Sequence, residues 1–353
     1  MNVLKCICWL PSVMLMATSA WGDILVPAKI EEQSPREDLR KRVFSESLKQ
    51  RECKILSKNP GGTVDADSSL TAALQTLLKG LNSSDAKVLL PLFHPQLKVK
   101  PAQVAVALTS ISRISGGQSE ATLFRVYGLN NPSGETDGIV CTEDGLMLYP
   151  LYGHPLQAGV WVQVQGRDEV ARVFAILIPT KDKWQIGAWH VQQWTHAGKD
   201  FAQWRAQGQE LSSKKENVAA WVYYDLAEKL LDGGKFMAFP VAKDVVAEQA
   251  PLLAGKSLQE TLNKKLSSDK VVYASSLFSR KGASILIRFG IEAEWSANAI
   301  KEHCRARFKQ LSAEPWMQSI AGIRCDYVTP RESPTKEGAL GGIFVDQTTV
   351  GVR

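Results

Sequence analysis

The sequence predicts an α+β protein, and two observations carry that reading. Between Asp67 and Gly117 apolar residues recur at helical spacing, and between 120 and 195 they alternate or run continuously in strand-length stretches. A polar connector follows, after which strand and helix patterns return between 271 and 350. The expected order is three helices, an antiparallel meander, a helical connector and a smaller C-terminal α+β domain.

The elements follow in order. Residues 1–22 form a signal peptide: Lys5 supplies the basic start, an apolar run extends from Ile7 to Ala17, and small residues surround a cut after Ala20 or Gly22. The run is shorter than the roughly 20 residues that span a bilayer. Residues 23–62 form a polar extension with a helix over 35–50, where Ser34 caps, Pro35 suits the first helical position and Glu37 and Asp38 occupy the first turn. Asn59-Pro60-Gly61-Gly62 breaks the chain. Leu70, Leu74, Leu77, Leu78 and Leu81 then mark one helix, 85–93 a short second, and Pro101 to Gly116 a third with Val104, Leu108 and Ile111 on one face.

Strands are expected near 120–129, 137–142, 145–152, 158–166, 170–178 and 184–195, with tight connections at 166–168 and 180–183. In the fourth, Val160, Val162 and Val164 share one face and Trp161, Gln163 and Gln165 the other, which predicts a half-exposed strand. In the fifth, Phe174, Ile176 and Ile178 oppose Val173, Ala175 and Leu177. A strand apolar on both faces is central and covered on both sides. A helical connector over 199–234 places the boundary between the units 63–210 and 211–353 in the polar stretch at 208–216. The last third reads as a hairpin around 279–282, a helix from Ser296 to Leu311 with Ile300, Cys304, Phe308 and Leu311 buried, and strands near 320–328 and 342–350.

Three helices followed by a meander with long terminal strands resembles the nuclear transport factor two-like superfamily over residues 64–197, on element order and lengths. The resemblance implies a cone: a strongly curved antiparallel sheet with the helices filling it. Members include isomerases, dehydratases, secretion-system components and binding or assembly domains. The superfamily has no universal motif, so the resemblance transfers no functional residue.

Composition narrows the function. The charge of +6, from 42 basic and 36 acidic residues, is spread along the chain, and no basic domain supports nucleic-acid binding. Export leaves Cys53, Cys141, Cys304 and Cys325. An even number in an oxidising compartment predicts two disulfides, since none lies in a C-x-x-C. Cys304, on the buried helix face, is expected to bond Cys325 in the strand beneath it, leaving Cys53 to pair with Cys141.

Few residues suggest chemistry. Alternation places Trp184, Gln192, Trp194 and His196 with His190 on one face of the last long strand. Inside a pocket His190 is a candidate acid or base, and the other four are candidate ligand contacts. Ala250 to Ser257 matches a loose phosphate-loop pattern, but Pro251 lacks an N–H and glycines are missing inside the loop, so Ser257 reads as a helix cap. Glu292 and Glu294 read as a solvated face shared with Arg288, and no metal site or cofactor is expected. The sequence therefore predicts a periplasmic or secreted binding or assembly protein that meets a protein partner or small ligand in the cell envelope, with no membrane span after cleavage. The alternative is an enzyme using a cone pocket with His190. An open cavity lined by His190 separates the two.

Overall fold

The structure, a computed structural model, describes residues 24–25, 54–57, 64, 66–117, 119–134, 138–141, 143–167, 169–267, 269–292, 295–328 and 342–347. The expected signal peptide, the helix over 35–50, Cys53 and Glu294 lie outside them.

Three sheets and eight α-helices are present among the described residues, an α+β architecture. The helices are α1 (Ser68–Ser83), α2 (Ala86–Leu89), α3 (Pro101–Ser115), α4 (Phe201–Ser213), α5 (Asn217–Lys229), α6 (Ala242–Gln249), α7 (Leu258–Lys265) and α8 (Ala297–Leu311). The largest sheet contains β1 (Ile24–Leu25), β2 (Lys54–Ser57), β3 (Ser119–Asn130), β6 (Leu156–Gly166), β7 (Val170–Pro179) and β8 (Trp184–Gln193) in the order β1-β8-β7-β6-β3-β2. All of its pairings are antiparallel. A small sheet joins β4 (Ile139–Cys141) and β5 (Leu146–Leu148) to β9 (Met237–Ala238).

The helical period at 70–81 becomes α1, whose Leu70, Leu74, Leu77 and Leu81 are buried. Asp67 caps it, accepting from the Leu70 N–H at 2.7 Å. The Ser69 hydroxyl first, then that N–H, hold the Asp67 carboxyl below its usual range, with Trp184 contributing. Pro101 opens α3 as expected, and Gly116 closes it at φ 75°, where a side chain costs most. Together α1 and α3 pack on one face of the large sheet, against Val160, Val162, Val164, Val173, Ala175 and Leu177.

The other face of that sheet is also covered. Trp161, Phe174, Ile176 and Ile178 share one apolar cluster with Trp204 of α4, Leu226 of α5, Phe239, Phe289 and Phe308. The central, doubly covered β7 is thus as the sequence predicts. The half-exposed β6 is not. Trp161 is buried, because a second layer arrives from the connector and the C-terminal third, and exposure remains only towards the two ends of the strand, at Leu156 and at Gln163, Gln165 and Gly166.

The C-terminal sheet is β10 (Val271–Ser279), β11 (Gly282–Gly290), β12 (Gly322–Val328) and β13 (Gly342–Asp346), in that order. The hairpin forms as expected. β11 and β12 run parallel, with α8 as the crossover and Ile287 opposite Cys325. Cys304 on α8 is disulfide-bonded to Cys325, with a Cα separation of 5.9 Å. Cys141 is also disulfide-bonded, and its partner lies outside the described residues. Arg288 corrects the solvated-face reading: it is buried against Asp326, 3.6 Å away, while Glu292 follows the strand in an exposed bend.

Among the described residues β10 is an edge strand, and the free backbone groups of a sheet edge are a liability. Side chains from other elements occupy several of them. Lys229 donates to the Ser276 carbonyl at 2.7 Å, Asn263 exchanges two hydrogen bonds with Val271 at 2.9 Å each, and His196 contacts the Ser279 carbonyl at 2.6 Å. Ser257 caps α7, its hydroxyl accepting from the Glu260 N–H at 3.1 Å, so the phosphate-loop pattern resolves into a turn and a helix start.

Candidate ligand-binding site

Two bulges decide which side chains meet on the covered face. In β8 the register shifts between Ile176 and Leu177, so that Ala188 opposes Ile176 and Ile186 opposes Leu177. Gly187 is the extra residue. A Cβ there would lie 2.5 Å from the Leu151 side chain, so the close approach needs glycine. The bulge breaks simple alternation. Trp184 and Ile186 join Trp189 and Val191 on the side of α1 and α3, while Ala188 and Trp194 pack with the opposite cluster. The expectation that Trp184 shares a face with His190, Gln192 and Trp194 is therefore corrected: the extra residue turns Trp184 to the helix side. In β3 the register shifts between Leu123 and Arg125, which lets Phe124 pack against Trp161 with ring centroids 4.8 Å apart and planes tilted by 53°.

His190 is 5% exposed and lies on the face turned away from α1 and α3. Its Nε2 contacts the Asp232 carbonyl at 3.1 Å, and its ring stacks on Phe174. Asp232 follows α5, so the connector closes over the imidazole. His196 sits past the strand, between Phe278 and Trp204. The Gln193 amide nitrogen lies 2.9 Å from its Nδ1 and can only donate, so Nε2 carries the proton toward Ser279. Burial pulls the His196 pKa below its usual value, with the Ser279 carbonyl and Glu169 opposing. His196 thus joins β8 to β10 as a neutral ring.

Gln192 and Trp194 meet a residue that sequence reasoning passed over. Arg172 of β7 lies directly opposite Gln192 in β8 and opposite Gln163 in β6. Its guanidinium carbon is 3.3 Å from the Trp194 ring centroid, 4.2 Å from that of Trp161 and 4.6 Å from that of Phe124. Phe239 and Phe201 complete the cage around Trp194. Arg172 is 6% exposed, and among the described residues its Nε and Nη1 have no hydrogen-bond partner. The same holds for Trp161 Nε1 and for Gln192 Oε1, whose amide nitrogen donates to the Leu230 carbonyl. Burial pulls the Arg172 pKa down, while Tyr127, Asp144 and Asp200 oppose it. A guanidinium so placed stays protonated at neutral pH. A sequence signal existed: Arg172 is the charged residue in a strand that is otherwise apolar on both faces.

Two cavities bear on the choice between pocket and filled face. One, lined by Tyr127, Leu148, Trp161, Phe174 and Phe236, has essentially no room for water. The other is an open, polar depression of about 1060 Å³ between Asn82, Gly116, Glu120 and Arg167. His190 lines neither. Among the described residues no group of His, Cys, Asp and Glu is arranged to hold a metal, and no helix is long and apolar enough to cross a membrane. Comparison of the chain with models of protein families, with curated proteins and with solved structures finds no match.

Proposed function

We propose that this is an exported, non-enzymatic binding or assembly protein of the cell envelope, acting in the periplasm or beyond it. Residues 64–197 then serve as a helix-filled, cone-like unit of the nuclear transport factor two-like kind, and the smaller C-terminal unit provides a second surface. The burial of His190 carries the reading. An acid or base must reach the proton it moves, and this imidazole is bonded to the Asp232 carbonyl beneath the connector. Export rests on the Lys5 start, the apolar run and the small residues near Ala20.

Photo-cross-linking in the source cells tests the proposal, with a photoreactive residue placed in turn at Tyr152 and Val106. Both side chains are well exposed, one on a loop beside the small sheet and one on α3. The expected result is processed protein starting near residue 20–22 and one discrete heavier adduct from a single face. Protein retaining Met1, or monomer alone from both positions, contradicts it.

A further inference from the structure

We propose that Arg172, Gln192 and Trp161 form a recognition site for the C-terminal residue of a polypeptide, with Trp194 as its movable cover. The inference rests on the binding reading above and gives that reading a ligand.

The argument is one of unmatched hydrogen-bonding groups. Buried donors and acceptors are nearly always paired, because leaving them bare is costly. Among the described residues four such atoms from three side chains lack a partner on three adjacent strands: Arg172 Nε and Nη1, Trp161 Nε1 and Gln192 Oε1. Three of them donate and one accepts. A simple anion satisfies the donors and leaves Gln192 Oε1 facing negative charge. A chain terminus matches the set. Its carboxylate accepts from the guanidinium and the indole, and the N–H of the same residue donates to Gln192. The two groups are a few ångströms apart in the ligand, and Arg172 and Gln192 are directly opposed on neighbouring strands.

The surroundings fit the same ligand. Phe124, Trp194 and Phe201 are half-buried rings that suit an apolar terminal side chain. Asp144 and Asp200 lie close enough to act on Arg172, and Arg125 is engaged by Asp144 and the Ser57 carbonyl. With one uncommitted guanidinium beside two acids, the site favours a single negative charge over a phosphate dianion. Trp194 follows the last residue of β8, is half-buried and lies over Arg172, so its side chain can turn aside without unpairing the sheet. The covalent structure of the ligand does not change.

Tryptophan fluorescence titration of the full chain tests the site. The probes are N-acetylphenylalanine, its amide, 3-phenylpropionate and acetyl-Gly-Gly-Phe with a free carboxylate. N-acetylphenylalanine is expected to bind with a Kd on the order of 1 mM or tighter. The amide, which lacks the carboxylate, should bind about tenfold or more weakly, and so should phenylpropionate, which lacks the N–H. Tighter binding of the tripeptide identifies a polypeptide end; equal binding identifies a free N-acyl amino acid and overturns the polypeptide assignment. Arg172→Met should abolish binding. Arg172→Lys keeps charge without the planar fork and should weaken binding even if the Met variant fails to fold. Undiminished binding in Arg172→Lys, or no response to any probe by folded wild-type protein, overturns the site. If a cross-linked partner is still captured in that case, the binding reading stands and only this location falls.

Discussion

Leu74→Asp is expected to unfold the N-terminal half of the protein. Leu74 is 2% exposed and lies with Leu70, Leu77 and Leu81 against the valine face of β6 and β7. Aspartate there loses the packing of a buried leucine and strands a charge with no partner. The cost is about 5 kcal/mol or more, comparable with the whole stability of an ordinary domain. Circular dichroism and the melting transition read it directly. An unchanged melting temperature would show that α1 does not cover this sheet.

The second large effect concerns the covalent link in the C-terminal part. Cys304 and Cys325 are 21 residues apart and join the buried face of α8 to the parallel strand β12. Closing a loop of that length stabilises by roughly 3 kcal/mol in the chain-entropy model. The Cys304→Ala/Cys325→Ala double variant should therefore unfold at markedly lower denaturant than the oxidised protein. Reduction of both proteins, which also opens the bridge at Cys141 in each, should bring the two curves together. Coincident curves before reduction would mean that the bridge does not form in solution.

The sequence made much of this fold legible where the signal was local. Leucines at helical spacing fixed α1, Pro101 and Gly116 bounded α3, and the two apolar faces of Val170–Pro179 marked a central strand. Cys304 could be paired with Cys325 because helical spacing put it on the face of Ile300 and Phe308, above the returning strand. What failed depended on partners distant in sequence. Trp161 looked half-exposed because the residues that bury it, Phe239 among them, lie far downstream and leave no periodic trace in β6.

The candidate site shows the same limit more sharply. A single extra residue at Gly187 turned Trp184 away from His190, since alternation assumes an unbroken ladder. Gln192 and Trp194 were legible as neighbours, but Arg172 was not recognised as the centre they share. The clue was a charge in a run of apolar residues, and only the register of three strands shows which rings receive it.

Histidine accessibility tests the central claim, that His190 is sealed beneath the connector rather than lining an open pocket. The folded protein is treated with diethyl pyrocarbonate at neutral pH, and modification is mapped by peptide. His94 and His154 are partly exposed and serve as internal references. The account predicts that both react while His190 stays unmodified until the protein is denatured. Modification of His190 in the folded protein at a rate matching His94 would contradict it, and would put the alternative, a pocket enzyme, ahead of the binding reading.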